Sequence, residues 1–337
     1  MVPQQKLLSV VVPAYNAQEY LVKCLDSLLV ADRELFSKLE VLVVNDGSTD
    51  STSAIAHEYE GRYPDVFRVI DKDNGNSGSC INAALAVAKG RYFRELDSDD
   101  WLATEALAAF ITLLEGRRED IVSTLKRNHF PNGKTQSYQG LGVEYDTTCL
   151  IDGFIFRNRW DKVHFTMHTM SFRTGLLRSI GYRQMEGIFY TDMILCYFAL
   201  KAARDIWFSK LCLYQYSDGR EDQSISRENS MLHRHDYFLV SERLLKDFIP
   251  IQDSFGENRR HILVEIICNY VNVFYRLCPV SDPDRDALDK LVSLQPELKQ
   301  LSDDNRFGNR NAEIYELLRQ KTKEIEGISA KLTKAQG

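Results

Sequence analysis

The sequence has no pattern of paired cysteines. Its seven cysteines are odd in number, form no C-x-x-C pair and stand at positions 24, 80, 149, 196, 212, 268 and 278. Most of them have apolar neighbours in the sequence, which is typical of buried thiols in a reducing compartment. The cysteine pattern therefore predicts a cytoplasmic protein.

Long apolar runs and an excess of positive charge are also missing. No apolar run approaches the roughly 20 residues that a membrane-spanning helix needs. Residues 1–6 lead straight into a strand-like segment, without a visible signal peptide. The net charge of −6 gives no reason to expect nucleic-acid binding. We expect a cytoplasmic location, with the inner face of the plasma membrane as a further option.

Two common glycine-rich nucleotide loops are absent as well. No G-x-G-x-x-G follows the first predicted strand, and no G-x-x-x-x-G-K-[ST] occurs. Nicotinamide-dependent enzymes and P-loop ATPases are therefore disfavoured. With 337 residues, 44% of them apolar, the chain is long enough for one large α/β domain with an extension, or for two domains.

The sequence does contain a regular alternation of strand-like and helix-like segments. The predicted strands are 7–12, 40–44, 67–70 and 91–96, and the predicted helices are 19–29, 51–60, 79–89 and 103–115. This alternation is typical of an α/β fold with a mostly parallel sheet and right-handed crossovers. In such sheets, ligands bind at the carboxyl ends of the strands.

The later part of the chain is less regular. We predict a strand at 120–125, loops at 129–150, helices at 173–180 and 192–203, and a strand pair or one bent strand at 206–216. Beyond Ser230 the pattern is helical throughout. The predicted organisation is a domain of residues 1–225, with halves 1–101 and 102–225, and a helical region of residues 226–337.

Residues 95–101 (ELDSDDW) concentrate negative charge at the end of the fourth predicted strand. Carboxylates this close together repel one another unless a cation lies among them. A hard divalent cation that holds a phosphate would meet that need. The alternative is an acidic turn that caps the next helix, because Asp favours helix N-caps.

Polar residues also follow the other predicted strands, at 13–16, 45–48 and 71–74. Asp46 could accept the ring N–H of a pyrimidine base, and Tyr15 could stack on that base. A turn aspartate and a core tyrosine are the alternatives. Residues 74–79 contain two glycines and precede a helix, an arrangement that lets the backbone approach a phosphate.

Five motifs taken together resemble a known family. They are VPAYN at 12–16, NDGSTD at 45–50, NGNSGSCIN at 74–82, GRY at 90–92 and DSDD at 97–100. In this order they are similar to the motifs of the family 2 inverting glycosyltransferases with the GT-A fold, and the resemblance covers residues 7–225. It implies a nucleotide-sugar donor, most often a UDP-sugar, bound with Mg²⁺ or Mn²⁺.

The resemblance implies roles for residues on the donor side. Asp46 matches the position that recognises the base, and Tyr15 matches a position that contacts it. Asp97 matches the carboxylate near the ribose, and Asp99 matches the metal ligand. Asp100 would serve the acceptor side or cap the next helix. The other donor-binding residues that the resemblance implies are Pro13, Asn16, Asn74, Gly75 and Ser98.

In the second half, Asp192 in the segment 187–192 (GIFYTD) matches the catalytic base of the family. Relatives often have Glu-Asp here, and Thr191 replaces the Glu; a plain helix N-cap is the alternative. The segment 219–224 (GREDQS) is similar to the G-R-x-x-Q-S of a bacterial surface-polysaccharide branch. This similarity implies that Arg220 pairs with the donor diphosphate, and it adds Gln223 to the candidates. A solvated loop arginine is the other interpretation.

The sugar end of the donor pocket is left open. Asn76 and Ser77 stand where this branch often carries Gly-His. His164 and His168 could touch the sugar or the acceptor, or could be ordinary surface or core histidines.

These observations predict an inverting, metal-dependent glycosyltransferase that serves cell-surface polysaccharide synthesis. It would move a sugar from a nucleotide-sugar to a hydroxyl of a glycan or lipid-linked acceptor. Two alternatives stay open, a non-catalytic nucleotide-sugar-binding scaffold and a sugar nucleotidyltransferase. The missing Glu before Asp192 and the long helical tail favour the scaffold, whereas the enzyme is favoured by four intact aspartates, Asp46, Asp97, Asp99 and Asp192.

The predicted helical tail carries two further patterns. Residues 314, 318, 325, 328 and 332 are apolar and form a short heptad seam. This seam could pair two subunits as a homodimer or pack on its own domain. The apolar segment 262–278 could lie on a membrane surface, or it could be buried in a core.

Overall fold

The computed structural model of the protein describes residues 5–137, 143–153, 165–220, 223–224 and 226–277. The chain divides into two units, Met1–Asp222 and Gln223–Gly337, each of which is described by itself.

Strands and helices alternate through the first half of the first unit. The strands of the whole first unit are β1 (Leu8–Ala14), β2 (Leu39–Asp46), β3 (Phe67–Lys72), β4 (Tyr92–Glu95), β5 (Trp101–Leu102), β6 (Ile121–His129), β7 (Thr135–Ser137), β8 (Thr147–Leu150), β9 (Met170–Arg173) and β10 (Asp205–Ser217). Its helices are α1 (Leu21–Asp26), α2 (Arg33–Ser37), α3 (Thr52–Arg62), α4 (Asn76–Val87), α5 (Thr104–Glu115), α6 (Thr174–Ser179) and α7 (Asp192–Ala202). A short 3-10 helix, Met167–Thr169, precedes β9.

The described strands form one mixed sheet. The order along its main path is β3-β2-β1-β4-β9-β6-β10-β5, and β7 and β8 pair with β6 and β10. β1 is parallel to β2 and β4, β2 is parallel to β3, and β6 is parallel to β10. β9 is antiparallel to both β4 and β6, so β6 and β10 run in the same direction as β1 to β4. The predicted α/β fold with a mostly parallel sheet and flanking helices is confirmed.

The common strand direction places several loops at one edge of the sheet. β1, β2, β3, β4, β6 and β10 all end at this edge, whereas the reversed strand β9 begins there. His168, two residues before β9, therefore lies at the same edge as the acidic segment after β4. The carboxyl-end location expected for ligands in such sheets thus collects residues from both halves of the unit.

The central strands β1 and β2 are buried on both faces. Val10 and Val12 join the apolar cluster that includes residues of α1 and α5. Val11, which points to the opposite face, is also fully buried, and α4 packs against β1 and β2. Burial of one such side chain stabilises the fold by about 1.5–3 kcal/mol. This two-sided burial explains why both strands are continuous apolar runs in the sequence.

Several elements differ from the expectation from sequence. The segment 129–150, predicted as loops, contains the short strands β7 and β8, and β9 was not predicted. β9 has four residues and pairs with β4 and β6, which lie far away in the sequence, so local patterns do not reveal it. The segment 206–216 is one strand, β10, with register shifts around Cys212.

The second unit is helical as far as it is described. Its elements are α8 (Arg227–Leu232), α9 (Arg234–Phe248), the 3-10 helix Ile249–Ser254 and α10 (Glu257–Leu277). α9 and α10 pack through aromatic pairs, with 6.0 Å between the ring centroids of Tyr237 and Tyr270. Leu263, Ile267 and Val271 of α10 are fully buried, so this apolar segment packs in a core.

None of the helices in the described ranges is long and apolar enough to span a bilayer. The predicted heptad seam at 314–332 lies outside the described residues.

Candidate functional site

Asp46 ends β2 and is surrounded by hydrogen-bond donors. Its side chain is only 3% exposed, and Lys72 Nζ lies 2.6 Å from its Oδ1. The backbone N–H of Gly75 lies 3.0 Å from Oδ1 and 3.2 Å from Oδ2. Ser79 Oγ lies 3.4 Å from Oδ1. The donors concentrate on Oδ1, so Oδ2 keeps the capacity to accept a further hydrogen bond.

The loops after β1 and β2 are joined through Asn16. Its backbone N–H donates to Ser48 Oγ at 3.0 Å, and its Oδ1 accepts from the backbone N–H of Thr49 at 2.9 Å. Asn16 has φ of +47°, a left-handed conformation that asparagine tolerates better than most residues. Beside it, Tyr15 is 53% exposed and so is not a core residue.

The acid turn, residues 97–100 after β4, is tied to β10. Tyr214 Oη donates to Asp100 Oδ2 at 2.7 Å, and the backbone N–H of Ser217 donates to Asp100 Oδ1 at 2.7 Å. Asp100 is buried by these contacts. It does not cap the next helix, because Ala103 occupies the N-cap position of α5.

The carboxyl groups of Asp99 and Asp100 have raised pKa values and so hold protons more strongly than usual. Burial, followed by the charges of Asp97 and Asp99, raises the pKa of Asp100 to about 8. Burial and the charge of Asp97 raise the pKa of Asp99, although its hydrogen bond with Arg220 opposes that shift. A bound cation would relieve this concentration of negative charge.

Three side chains at the acid turn are placed to hold a divalent cation. One potential ligand atom each from Asp97, Asp100 and His168 lie within 4.8 Å of one another. Carboxylate oxygens suit Mg²⁺ and Mn²⁺, and imidazole nitrogen suits transition metals, so this donor set fits a cation such as Mn²⁺. Asp99, the metal ligand that the family resemblance implies, is not in this group, and its carboxylate is paired with Arg220.

Arg220 is bound to the acid turn and is not a solvated loop residue. Its Nη2 forms an ion pair with Asp99 Oδ2, and its Nη1 donates to Ser217 Oγ at 3.2 Å. Its guanidinium also stacks on Tyr20, with Cζ 4.3 Å from the ring centroid. Arg220 therefore connects the loop after β10 to the loop after β4 and to the start of α1.

Asp192 is the first residue of α7 and lies near the acid turn. Burial, followed by the charges of Asp97 and Asp192, raises the pKa of the Glu95 carboxyl well above its usual range. Burial also lowers the pKa of Lys126, and Asp192 is one of the carboxylates whose negative charge opposes that shift. The charges of Asp192 and Asp97 therefore act on the same two groups, Glu95 and Lys126. Thr191 is the N-cap residue, and within the described residues its side chain makes no capping hydrogen bond.

His168 is held in place by Arg94, a fully buried residue of β4. The Arg94 guanidinium donates to the carbonyl oxygen of His168 and, at 3.0 Å, to Ser171 Oγ. The His168 ring packs edge-on against Tyr214 and Tyr216, with centroids 4.9 and 5.0 Å away. Its Nε2 lies 3.7 Å from an Asp97 carboxylate oxygen. His168 is thus part of the acidic cluster.

The other predicted residues are placed as follows. Pro13 belongs to β1, Asn74 Nδ2 donates to the carbonyl at the end of β2 at 3.0 Å, and Ser98 lies in the acid turn. Gln223 begins the second unit, where it is buried. His164 lies outside the described residues.

Sequence reasoning missed Lys72, Arg94 and Tyr214. A basic residue at the carboxyl end of the third strand could have identified Lys72. Arg94 had no signal, because a charged residue within a strand normally indicates an exposed position. Tyr214 lies 114 positions from Asp100, so one sequence gives no reason to pair them.

Comparison with known proteins places this site in a family. The family model for glycosyl transferase family 2 matches residues 9–181, just over half of the chain. The chondroitin synthase of Pasteurella multocida (strain Pm70) is 39% identical over 128 residues, which are 38% of this chain and 13% of that protein. The putative glycosyltransferase EpsH of Bacillus subtilis (strain 168) is 27% identical over 218 residues, 62% of this chain and 60% of EpsH.

A third relative is the poly(ribitol-phosphate) beta-glucosyltransferase of Bacillus spizizenii. It is 35% identical over 138 residues, 40% of this chain and 20% of that protein. This chain therefore matches less than two thirds of the length of each of the three relatives.

Crystal structures of S. aureus TarS 1-349 share the fold. One of them has a TM-score of 0.63 at 17% identity, over 98% of this chain and 92% of that one. The complex of the same protein with UDP-GlcNAc has a TM-score of 0.61. The likeness shows the fold alone and confirms the predicted GT-A architecture. With the match over residues 9–181, the chain belongs to glycosyltransferase family 2.

Proposed function

We propose that the protein is an inverting glycosyltransferase that moves a sugar from a UDP-sugar to a hydroxyl group of a cell-surface glycan. The observation that supports this proposal is that the charge of Asp192 acts on Glu95 and Lys126, the same two groups on which Asp97 of the acid turn acts. Asp46 and Tyr15 lie at strand ends on the same edge of the sheet. A base for the acceptor and groups for the donor thus belong to one site.

The proposed donor site uses the ends of β1 and β2. Asp46 Oδ2 accepts the ring N–H of uracil, and the exposed ring of Tyr15 stacks on the base. Residues 74–79, named here the donor loop, bring the N-terminus of α4 close to the nucleotide. A protein with the same fold, TarS, has been crystallised with UDP-GlcNAc, which supports a uridine nucleotide.

Asp97, Asp100 and His168 would hold a divalent cation, Mg²⁺ or Mn²⁺, beside the donor diphosphate. When bound, the cation supplies positive charge that offsets the charge developing on the diphosphate. Arg220 exchanges its ion pair with Asp99 for contacts with the diphosphate, which the planar guanidinium can bind through two hydrogen bonds. Asp99 then becomes available as a further ligand.

The reaction needs one proton transfer and one substitution at the anomeric carbon. Asp192 accepts the proton of the acceptor hydroxyl, and that oxygen attacks the anomeric carbon from the face opposite UDP. The bond between the anomeric carbon and the diphosphate oxygen breaks, and its electron pair leaves with UDP. Hydrogen bonds from Arg220 to the departing diphosphate lower the barrier. Attack from the opposite face inverts the anomeric configuration.

The acceptor class rests on the relatives. Their names are those of a chondroitin synthase and of a glucosyltransferase that acts on poly(ribitol-phosphate). Both concern polymers, so we propose a growing glycan or a lipid-linked glycan as acceptor. The cytoplasmic location and the subunit pairing through residues 314–332 stay predictions.

Donor hydrolysis tests the proposal without knowledge of the acceptor. The protein is incubated with UDP-, GDP- and dTDP-sugars plus Mn²⁺, and the released nucleoside diphosphate is measured. We expect release from a UDP-sugar and loss of that release in EDTA. From an α-linked donor, proton NMR should show the β-sugar as the first product.

Three results would count against parts of this proposal. An α-sugar as the first product would contradict inversion, and release unaffected by EDTA would contradict the metal site. Binding of UDP-sugars with no release from any of them would favour the scaffold alternative.

A further inference from the structure

The segment that leads to Asp192 is bonded to the helix that begins at the donor loop. The side chain of Asn82, on α4, forms two hydrogen bonds with the backbone of Gln184. The Gln184 N–H donates to Asn82 Oδ1 at 2.8 Å, and Asn82 Nδ2 donates to the Gln184 carbonyl oxygen at 3.0 Å. The same Nδ2 donates to Glu186 Oε1 at 2.7 Å. One asparagine side chain thus pairs with both backbone groups of Gln184, as a neighbouring strand would.

The contact between α4 and residues 184–187 is close because the α4 residue at the contact, Gly78, has no side chain. A Cβ atom at Gly78 would lie 1.8 Å from the carbonyl oxygen of Met185. The Gly187 backbone N–H donates to the Gly75 carbonyl at 2.9 Å. Gly75 therefore bonds to Asp46 through its N–H and to the segment before Asp192 through its carbonyl.

Gln184 extends this connection to α7. Its side chain is buried, and its Nε2 donates to the carbonyl oxygen of Thr191 at 2.7 Å. Its Oε1 is buried and has no hydrogen-bond partner in the described part of the chain. The carbonyl that Gln184 holds belongs to the peptide that joins Thr191 to Asp192.

The hydrogen bond from Gln184 to Thr191 matters because the backbone between these two residues is unusual. Gly187 has φ of +76° and Tyr190 has φ of +60°, both in the left-handed region. A non-glycine residue remains there only when surrounding contacts hold it. The bond from Gln184 to Thr191 supplies such a contact, since it fixes the peptide plane at which α7 begins.

We propose that Gln184 and Asn82 are positioning residues that aim the Asp192 carboxylate at the acceptor hydroxyl and tie it to the donor loop. This inference rests on the proposed role of Asp192 as the base. Neither residue touches a substrate; both act through the path from α4 to Thr191. A displacement of about 1 Å at a reacting group can cost about 10²-fold in rate, so one hydrogen bond can have a measurable effect.

Gln184→Met tests the proposal, because it keeps the length of the side chain and removes its amide. In the UDP-sugar hydrolysis assay with Mn²⁺, we expect the rate to fall by about tenfold or more. The affinity for UDP should not change. Gln18→Met is the matched control, since Gln18 Oε1 also bonds to the backbone, accepting the N–H of Ser51 at 3.1 Å, and makes no hydrogen bond to residues 184–192 in the described part of the chain. It should leave the rate unchanged.

An Asp192→Asn background separates positioning from a general structural role. If Gln184 acts through Asp192, adding Gln184→Met to Asp192→Asn lowers the residual rate no further. A further loss equal to that in the wild type would overturn the proposal. A parallel loss of UDP affinity, or an unchanged rate in Gln184→Met alone, would overturn it too. If the residual rate is too low to compare, the split between rate and UDP affinity decides.

The same experiment distinguishes a wrong base assignment for Asp192 from a wrong positioning role for Gln184. An Asp192→Asn variant with the wild-type rate would remove the base assignment, and the positioning role with it. An inactive Asp192→Asn beside a fully active Gln184→Met would overturn the positioning role alone.

Discussion

At the scale of single residues, the site depends on ionisable groups that are buried. Asp100 and Arg94 have almost no exposed surface. Burial of a charge costs several kcal/mol unless hydrogen bonds compensate for the lost water. Tyr214 and Ser217 compensate Asp100, and Ser171 is among the groups that compensate Arg94. Loss of any one partner leaves a buried charge less well solvated.

Asp192→Asn is the residue-scale prediction, because it keeps the size and an oxygen acceptor of the side chain but cannot take up a proton near neutral pH. If Asp192 is the base, UDP-sugar turnover should fall by about 10²–10⁴-fold. UDP affinity, measured by calorimetry with Mn²⁺, should barely change, since Asp46 and the acid turn are intact.

A melting curve serves as the control for Asp192→Asn. If Asp192 only stabilises the start of α7, asparagine should serve nearly as well and both stability and turnover should stay near wild type. A variant that keeps more than about a tenth of the rate would show that another group accepts the proton.

At the scale of secondary structure, α4 connects the two sides of the site. Its buried residues, including Ile81 and Ala84, pack on the sheet side, while Asn82 faces residues 184–187. The helix begins at the donor loop, so its N-terminal end is near both the nucleotide side and the segment before Asp192. The absence of a side chain at Gly78 allows the two backbones to meet.

Gly78→Ala is the prediction for this element. Its Cβ would lie 1.8 Å from the Met185 carbonyl oxygen, so the helix and the segment must separate. We expect a loss of about 1–3 kcal/mol in the free energy of unfolding, measured by chemical denaturation. Gly61→Ala, in α3, is the matched control, because no described atom lies within 4 Å of its added Cβ. It should be neutral or stabilising by up to about 1 kcal/mol. Equal stability of the two variants would contradict the close packing at Gly78.

At the scale of the whole first unit, the site forms where the two halves of the sheet meet. Arg220, which follows β10, is paired with Asp99, which follows β4. The arginine thus occupies a carboxylate that, in the proposed function, becomes a further ligand of the cation. The proposed function predicts that metal and arginine compete for Asp99 until a diphosphate offers Arg220 another partner.

Arg220→Gln should therefore strengthen Mn²⁺ binding in the absence of UDP. We expect a gain of about tenfold, equivalent to about 1.4 kcal/mol, in a Mn²⁺ titration followed by EPR spectroscopy. UDP affinity in the presence of Mn²⁺ should weaken, because the diphosphate loses a guanidinium that can donate two hydrogen bonds to it.

Lys23→Gln is the matched control for this loss of charge. Lys23 stacks on Trp101, with Nζ 3.0 Å from the ring centroid, and its charge acts on Asp100 without bonding to Asp99. It should change Mn²⁺ affinity less than Arg220→Gln does. Equal effects of the two variants, or no effect of Arg220→Gln, would contradict competition for Asp99.

The sequence by itself determined the fold class and the edge of the sheet at which Asp46 and the acid turn lie. The apolar runs that became β1 and β2 could only be buried strands, and the helices between strands required parallel pairing. Parallel pairing in turn sends the residues after each strand to one edge of the sheet. Asp46 and the acid turn therefore could be placed together without any tertiary information.

Only the tertiary structure decided which partner each carboxylate of the acid turn contacts. Asp99 meets Arg220 across 121 positions, Asp100 meets Tyr214 across 114, and Asn82 meets Gln184 across 102. Adjacent residues of a turn point in different directions, and local periodicity does not specify which direction faces a cation or an arginine. The packing of β9 and β10 beside β4 sets those directions, because their side chains and loops supply the partners.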